Sequence, residues 1–226
     1  MPNQGAIVVA GDVVPGRIAT DAGAVPFSGA VVDKTVEPGT ASPATTRCSA
    51  VLLAGGKSSR MGRDKALLEF EGEPLWRRQL RTLRQLSPEQ LMVSGPLREE
   101  WSACEILHDE IADAGPLAGV SAALQKCTAP LLVVLAIDLP RMSAEYLRSL
   151  CRDGQGAVPR GPDGFEPLAA AYPAACASLA AQQLRHGDFS LQNFVRAAID
   201  QGLLSERAVS AAESVLFLNL NTPADL

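Results

Sequence analysis

Residues 130–137, Pro-Leu-Leu-Val-Val-Leu-Ala-Ile, form an unbroken apolar run that ends at Asp138-Leu139-Pro140. A run of that length is too short to span a membrane. Because it does not alternate, it needs cover on both faces, as a central parallel strand between two helical layers has. The surrounding pattern agrees. Residues 50–54 predict a short buried strand followed by a glycine loop, and 90–94, 105–108 and 168–172 predict further strands, with 215–218 closing the sheet. Between them, 74–86 is helical, and a helix starts over 116–124 with Pro116 in its first turn, where its missing N–H is harmless. Ser143 caps a helix running to 151, another lies near 174–186, and Ser190 caps a last one over 191–201. Alternating strands and helices predict an α/β fold: a three-layer sandwich around a mostly parallel, Rossmann-like sheet.

The chain divides near residue 48. Residues 1–47 are small and apolar pieces broken by Gly11, Pro15, Gly16, Pro26, Gly29, Pro38, Gly39 and Pro43. Short runs at 6–10 and 30–32 could pair as strands, but no helical period appears and aromatic mass is nearly absent. With little area to bury against chain entropy, this stretch reads as a low-complexity, flexible extension. Residues 48–226 then form the folded domain.

Of 226 residues, 20 are basic and 25 acidic, for a net charge of −5. That balance disfavours bulk electrostatic binding of nucleic acid. Cys48, Cys104, Cys127, Cys151 and Cys176 lack metal-knuckle or Cys-x-x-Cys spacing, and an odd count suits reduced thiols. His108 and His186 are the two histidines, too few for a multi-histidine metal site. No Lys or Arg precedes Asp12, so the charged start of a secretory signal is missing. The expected setting is the cytoplasm, without membrane contact.

Ligands of such sheets sit beyond the carboxyl ends of the strands. The segment Leu53-Ala54-Gly55-Gly56-Lys57-Ser58-Ser59-Arg60-Met61-Gly62-Arg63-Asp64-Lys65 leaves a strand carrying three glycines and four cations. Glycines let backbone amides approach an anion, and Arg60 and Lys65 can neutralise phosphate oxygens. It is neither a Walker A loop, since Val51 stands where the first glycine is needed, nor a GxGxxG fingerprint. Asp113-Ala114-Gly115-Pro116-Leu117-Ala118-Gly119 lets a helix start close to a ligand, with Asp113 offering a carboxylate, or else is simply a capped helix start. Asp138, after the apolar strand and before Pro140, is placed to hold Mg²⁺ beside substrate phosphates, or else serves as a turn residue. In Asn219-Leu220-Asn221-Thr222-Pro223, Asn221 or Thr222 capping a terminal helix is the simple reading.

These residues resemble the molybdenum cofactor guanylyltransferases of the nucleotidyltransferase superfamily. Residues 53–65 match the pattern LAGGxSxRMGxDK, 113–119 match DxGPLAG, 137–140 match CDxP, and 219–226 match NxNTPxDL. The resemblance covers about residues 48–226 and not the extension. It implies transfer of GMP from GTP to molybdopterin, giving molybdopterin guanine dinucleotide and pyrophosphate. Leu53, Ala54, Gly55 and Gly56 would cradle the nucleotide, and Arg60 and Lys65 would neutralise charge on its phosphates. Asp113 and Asp138 would bind the nucleotide, with Asp138 also ligating Mg²⁺. Partner proteins of such enzymes would be molybdenum-insertion proteins or molybdoenzyme chaperones. Ser94 stands where the family often has Asn. Ile137 replaces the usual cysteine, and its side chain should face the core. Other readings on the same scaffold are a cytidylyltransferase or sugar-1-phosphate nucleotidyltransferase, or a nucleotide-binding regulator without turnover. The resemblance implies that the second glycine of LAGG favours guanine, and an intact Lys65 and Asp138 argue for an enzyme.

Overall fold

The computed structural model describes residues 46–55, 65–107 and 115–220, except the side chain of Asp153. The elements run β1 (Cys48–Leu53), β2 (Glu69–Phe70), β3 (Glu73–Pro74), α1 (Leu75–Arg84), β4 (Gln90–Ser94), β5 (Glu105–Leu107), α2 (Pro116–Lys126) and β6 (Leu131–Ala136). They continue with α3 (Ala144–Ser149), β7 (Ala157–Gly161), β8 (Gly164–Phe165), β9 (Ala169–Pro173), α4 (Ala177–Arg185), α5 (Leu191–Asp200) and β10 (Ser205–Ala208). The extension proposed for residues 1–47 lies almost wholly outside the described residues, as do its two candidate strand runs.

The main sheet has the order β5-β4-β1-β6-β9. β4, β1 and β6 run parallel and β5 joins them in the same sense, while β9 returns antiparallel at the edge beside β6. Every residue of β1 and of β6 is buried, as unbroken apolar strands covered on both faces require. Successive residues point to opposite faces. Ala50, Leu52, Val133 and Leu135 therefore meet Leu75, Leu80 and Leu83 of α1 and Tyr146 and Leu147 of α3. Val51, Leu53, Leu132 and Val134 meet Leu117 and Val120 of α2, Ala180 of α4, and Phe194 and Val195 of α5. These are the three layers the alternation predicts.

Ser143 and Ser190 cap α3 and α5 by accepting from Tyr146 N and Asn193 N. Two expectations change. Residues 215–218 do not close the sheet: Ser214–Phe217 is a 3-10 helix. Phe217 packs edge-on against Tyr146 at 5.4 Å between ring centroids, so the run meets α3 through this ring while Val215 and Leu218 stay exposed. A second sheet, β10-β7-β8, was not foreseen. β10 is Ser-Glu-Arg-Ala and almost fully exposed, so backbone pairing to β7 holds it and its side chains carry no strand pattern.

All five cysteines are free thiols, with Cys48, Cys151 and Cys176 buried. Burial pushes the Cys151 thiol up to about 12 and the Cys176 thiol to about 11, which keeps both protonated. Among the described residues, no helix is long and apolar enough to cross a membrane.

Candidate active site

The strand ends that should carry chemistry are drawn together by backbone bonds. Leu53 O, at the end of β1, accepts from Ile137 N at 3.0 Å, so the residues that follow β1 and β6 start side by side. Ile137 is buried in the core beneath, as expected of the residue that stands in place of the usual cysteine. Asp138 comes next. The other partner arrives from a 3-10 turn, Lys65–Leu67, anchored by the buried Ala66. Lys65 Nζ donates to Asp138 Oδ2 at 3.0 Å, and the two side chains are 22% and 23% exposed. An ion pair so placed is shielded enough to matter and open enough to meet a ligand. It joins two of the residues singled out in the sequence, 73 positions apart in the chain.

The amides behave differently from expectation. Ala54 N and Gly55 N both donate to Ser94 O, at 2.8 and 3.0 Å. Those two N–H groups are therefore engaged inside the protein and do not form an anion nest. Their role is to tie the end of β1 to the end of β4. Gly95, which the sequence reading did not single out, makes this possible. A Cβ there would sit 3.1 Å from Ala54 C and Gly55 N. Its signal is a glycine directly after a strand, in Val93-Ser94-Gly95-Pro96.

Gly119 has a comparable packing role. Its Cβ would lie 2.6 Å from Ser94 Oγ and 3.1 Å from Leu53 Cδ2. The small residues of this segment thus bring α2 against the strand ends themselves. The N-cap of α2 is Gly115, at φ 67° and ψ −165°, a conformation suited to glycine, and it offers no side-chain cap. The positive end of a helix dipole favours an anion.

The C-terminal motif follows a 3-10 helix and not a strand, yet it still reaches the site: Leu220 N donates to Asp138 O at 3.0 Å. Gly56, Arg60 and Asp113, and Asn221 and Thr222, lie outside the described residues. Among the described residues, no group of three or more His, Cys, Asp or Glu could hold a metal, so an all-protein metal cage is excluded there. A cavity of about 220 Å³ between β8 and α5 contains neither Lys65 nor Asp138, and its Arg160 is paired with Glu206 at 3.1 Å. Glu166, just before β9, is a half-buried carboxyl raised above the usual range by burial and, to a smaller degree, by Asp163.

Residues 50–203 match the model of the MobA-like NTP transferase domain. The chain is 43% identical over 182 residues to a probable molybdenum cofactor guanylyltransferase of Opitutus terrae, covering 77% of this chain and 90% of that one. It is 33% identical over 186 residues to a probable molybdenum cofactor guanylyltransferase of Pelotomaculum thermopropionicum, covering 80% and 90% respectively. The crystal structure of molybdopterin-guanine dinucleotide biosynthesis protein A from Archaeoglobus fulgidus aligns with a TM-score of 0.62 and 25% identity, over 78% of this chain and 94% of that one.

Proposed function

The chain belongs to the MobA-like NTP transferase family, and from that membership we propose that it transfers GMP from GTP to molybdopterin cofactor, giving molybdopterin guanine dinucleotide and pyrophosphate. The observation that carries the reading is the pair of Lys65, on its 3-10 turn, with Asp138, just beyond the end of β6. Nucleotidyl transfer needs little covalent chemistry from the protein. A terminal phosphate oxygen of the pterin attacks the α-phosphorus of GTP in line. The new P–O bond forms as the bond to the β-phosphate oxygen breaks, and pyrophosphate leaves with its electron pair. What the protein must supply is position and charge.

Lys65 and Arg60 would neutralise the phosphates. Leu53, Ala54, Gly55 and Gly56 would line the nucleotide, and Asp113 would accept from its base or ribose. Asp138 fits a Mg²⁺ ion. Its carboxylate, whose Oδ2 accepts from Lys65, is a hard oxygen donor, and this cation is commonly held by one or two carboxylates plus substrate phosphates. When bound, the ion supplies Lewis acidity to the phosphates. The Asp138 carboxylate would orient the triphosphate through it, and the Lys65 ammonium would offset the charge of whichever group lies beside it. The free thiols and the nucleotide substrate suit the cytoplasm. Recipients of the product would be molybdoenzymes or the proteins that insert the cofactor.

The test is pyrophosphate release with each NTP, with and without molybdopterin, in Mg²⁺. GTP should exceed CTP by at least about tenfold, a difference of ~1.4 kcal/mol. Equal or better turnover with CTP would overturn guanylyl specificity, and release independent of molybdopterin would overturn the acceptor.

A further inference from the structure

The turn that carries Asp138 is gripped from behind by one buried amide. Gln79, on α1, is fully buried, and its Nε2 donates to Ala136 O at 3.0 Å and to Leu139 O at 2.8 Å. Those carbonyls flank Ile137 and Asp138. Two carbonyl partners can only be met by the NH₂ end, so the orientation of the amide follows from chemistry. Its other end, Oε1, is buried and has no hydrogen-bond partner among the described residues. A position that served only to fill the core would carry an apolar side chain and avoid that unmet acceptor. What Gln79 contributes is its two N–H bonds to the turn.

The grip extends further. Arg78 Nε, next on α1, donates to Pro140 O at 2.7 Å, and Leu220 N holds Asp138 O. The same helix also reaches the partner lysine, because Leu75 N donates to Leu68 O and Leu68 N to Lys65 O, at 2.9 and 3.2 Å. One helix therefore sets both members of the ion pair.

We propose that Gln79 is a positioning residue for nucleotidyl transfer, fixing the Asp138 turn so that its carboxylate meets the metal–nucleotide complex in one orientation. The inference rests on the function proposed above. Residues that orient a metal-binding carboxylate typically govern metal affinity and rate by about 10–100-fold.

The test compares the full chain with Gln79→Met, which removes both donors at similar volume, and Gln79→Glu, which is nearly isosteric. Circular dichroism reports folding. Electron paramagnetic resonance of Mn²⁺ titrated into protein and GTP reports metal affinity. GTP binding is also measured without metal, and pyrophosphate release gives kcat. Both variants should fold and bind metal-free GTP like the wild type, while half-saturating Mn²⁺ rises about tenfold or more and kcat falls by a similar factor. A folded variant with wild-type Mn²⁺ affinity and kcat would overturn the proposal. So would a parallel loss of metal-free GTP binding, which would mark general damage to the site. If Gln79→Met does not fold, Gln79→Glu decides. A wild-type chain that releases no pyrophosphate from GTP and molybdopterin would overturn the guanylyltransferase reading instead. The Mn²⁺ titrations of wild type and variants would still decide the role of Gln79.

Discussion

Replacing Gly119 by alanine sets two opposing terms against each other. Within a helix, alanine gains roughly 1 kcal/mol over glycine in propensity. At this position, however, the added methyl would sit 2.6 Å from Ser94 Oγ, 3.1 Å from Leu53 Cδ2 and 3.3 Å from Ser94 Cβ. The first distance is far inside contact, and overpacking a tight core costs about 1–3 kcal/mol. The steric term wins, for a net loss of roughly 1 kcal/mol, or about 2–4 °C in Tm for a domain of this size. Ser94→Ala removes the nearest atom. What remains is the end of a flexible leucine and a β-carbon at the edge of ordinary contact. In that background Gly119→Ala should turn neutral or stabilising, so the two changes should couple favourably by about 1–2 kcal/mol. The assay is urea unfolding of wild type, both single variants and the double variant, followed by circular dichroism. Ser94 O also holds Ala54 N and Gly55 N, so the single glycine variant should raise KM for GTP as well. Additivity within about 0.5 kcal/mol, or a single variant more stable than wild type, would refute the packing argument.

Asp138→Ala should stay folded by circular dichroism, because backbone bonds hold the turn. It should lose two or more orders of magnitude in Mg²⁺-dependent turnover, about 3 kcal/mol or more of transition-state stabilisation. Its metal-free GTP binding should hold or tighten with one negative charge gone, and near wild-type rates would remove Asp138 from the site. A chain beginning at Arg47 keeps the Arg47–Glu89 ion pair and should match the full chain in solubility and pyrophosphate release; loss of either would show that the preceding residues pack on the domain. Glu166→Gln should raise Tm at pH 7. A carboxyl whose folded pKa is raised binds its proton more tightly in the native state, so stability falls as pH rises above the unfolded value, about 4.3. The gain should vanish at pH 4, and a gain that persists there would rule out ionisation as its cause.

The central strands were legible because their composition follows directly from their environment. Ala50 to Leu53 and Leu131 to Ala136 must be apolar on both faces, and little else gives unbroken runs of that length. Asp138 stood out for a related reason, since it follows a strand, where such sheets keep their ligands, and Lys65 stood out as the last cation of a glycine-rich segment that leaves β1. Other features depend on partners distant in the chain. Gln79 sits in a helix where a glutamine ordinarily faces solvent, and only the packed turn beneath it reveals its use. The amides of Ala54 and Gly55 looked available until β4 brought Ser94 O to them. Val215 to Leu218 has the composition of a strand, but its phenylalanine finds Tyr146 before any strand edge.

The bond from Leu220 N to Asp138 O also bears on when the enzyme can first work. During synthesis β1, β4 and β6 leave the ribosome well before residue 220, and a domain of this kind can begin to fold as they emerge. The turn of Asp138, though, has one carbonyl unclaimed until Leu220 docks on it. A nascent chain can thus pair its central strands before Leu220 completes both the core and the hold on the Asp138 turn. A chain stalled short of residue 220 lacks the amide that holds this carbonyl, and the turn that carries Asp138 then rests on the bonds from Gln79 and Arg78.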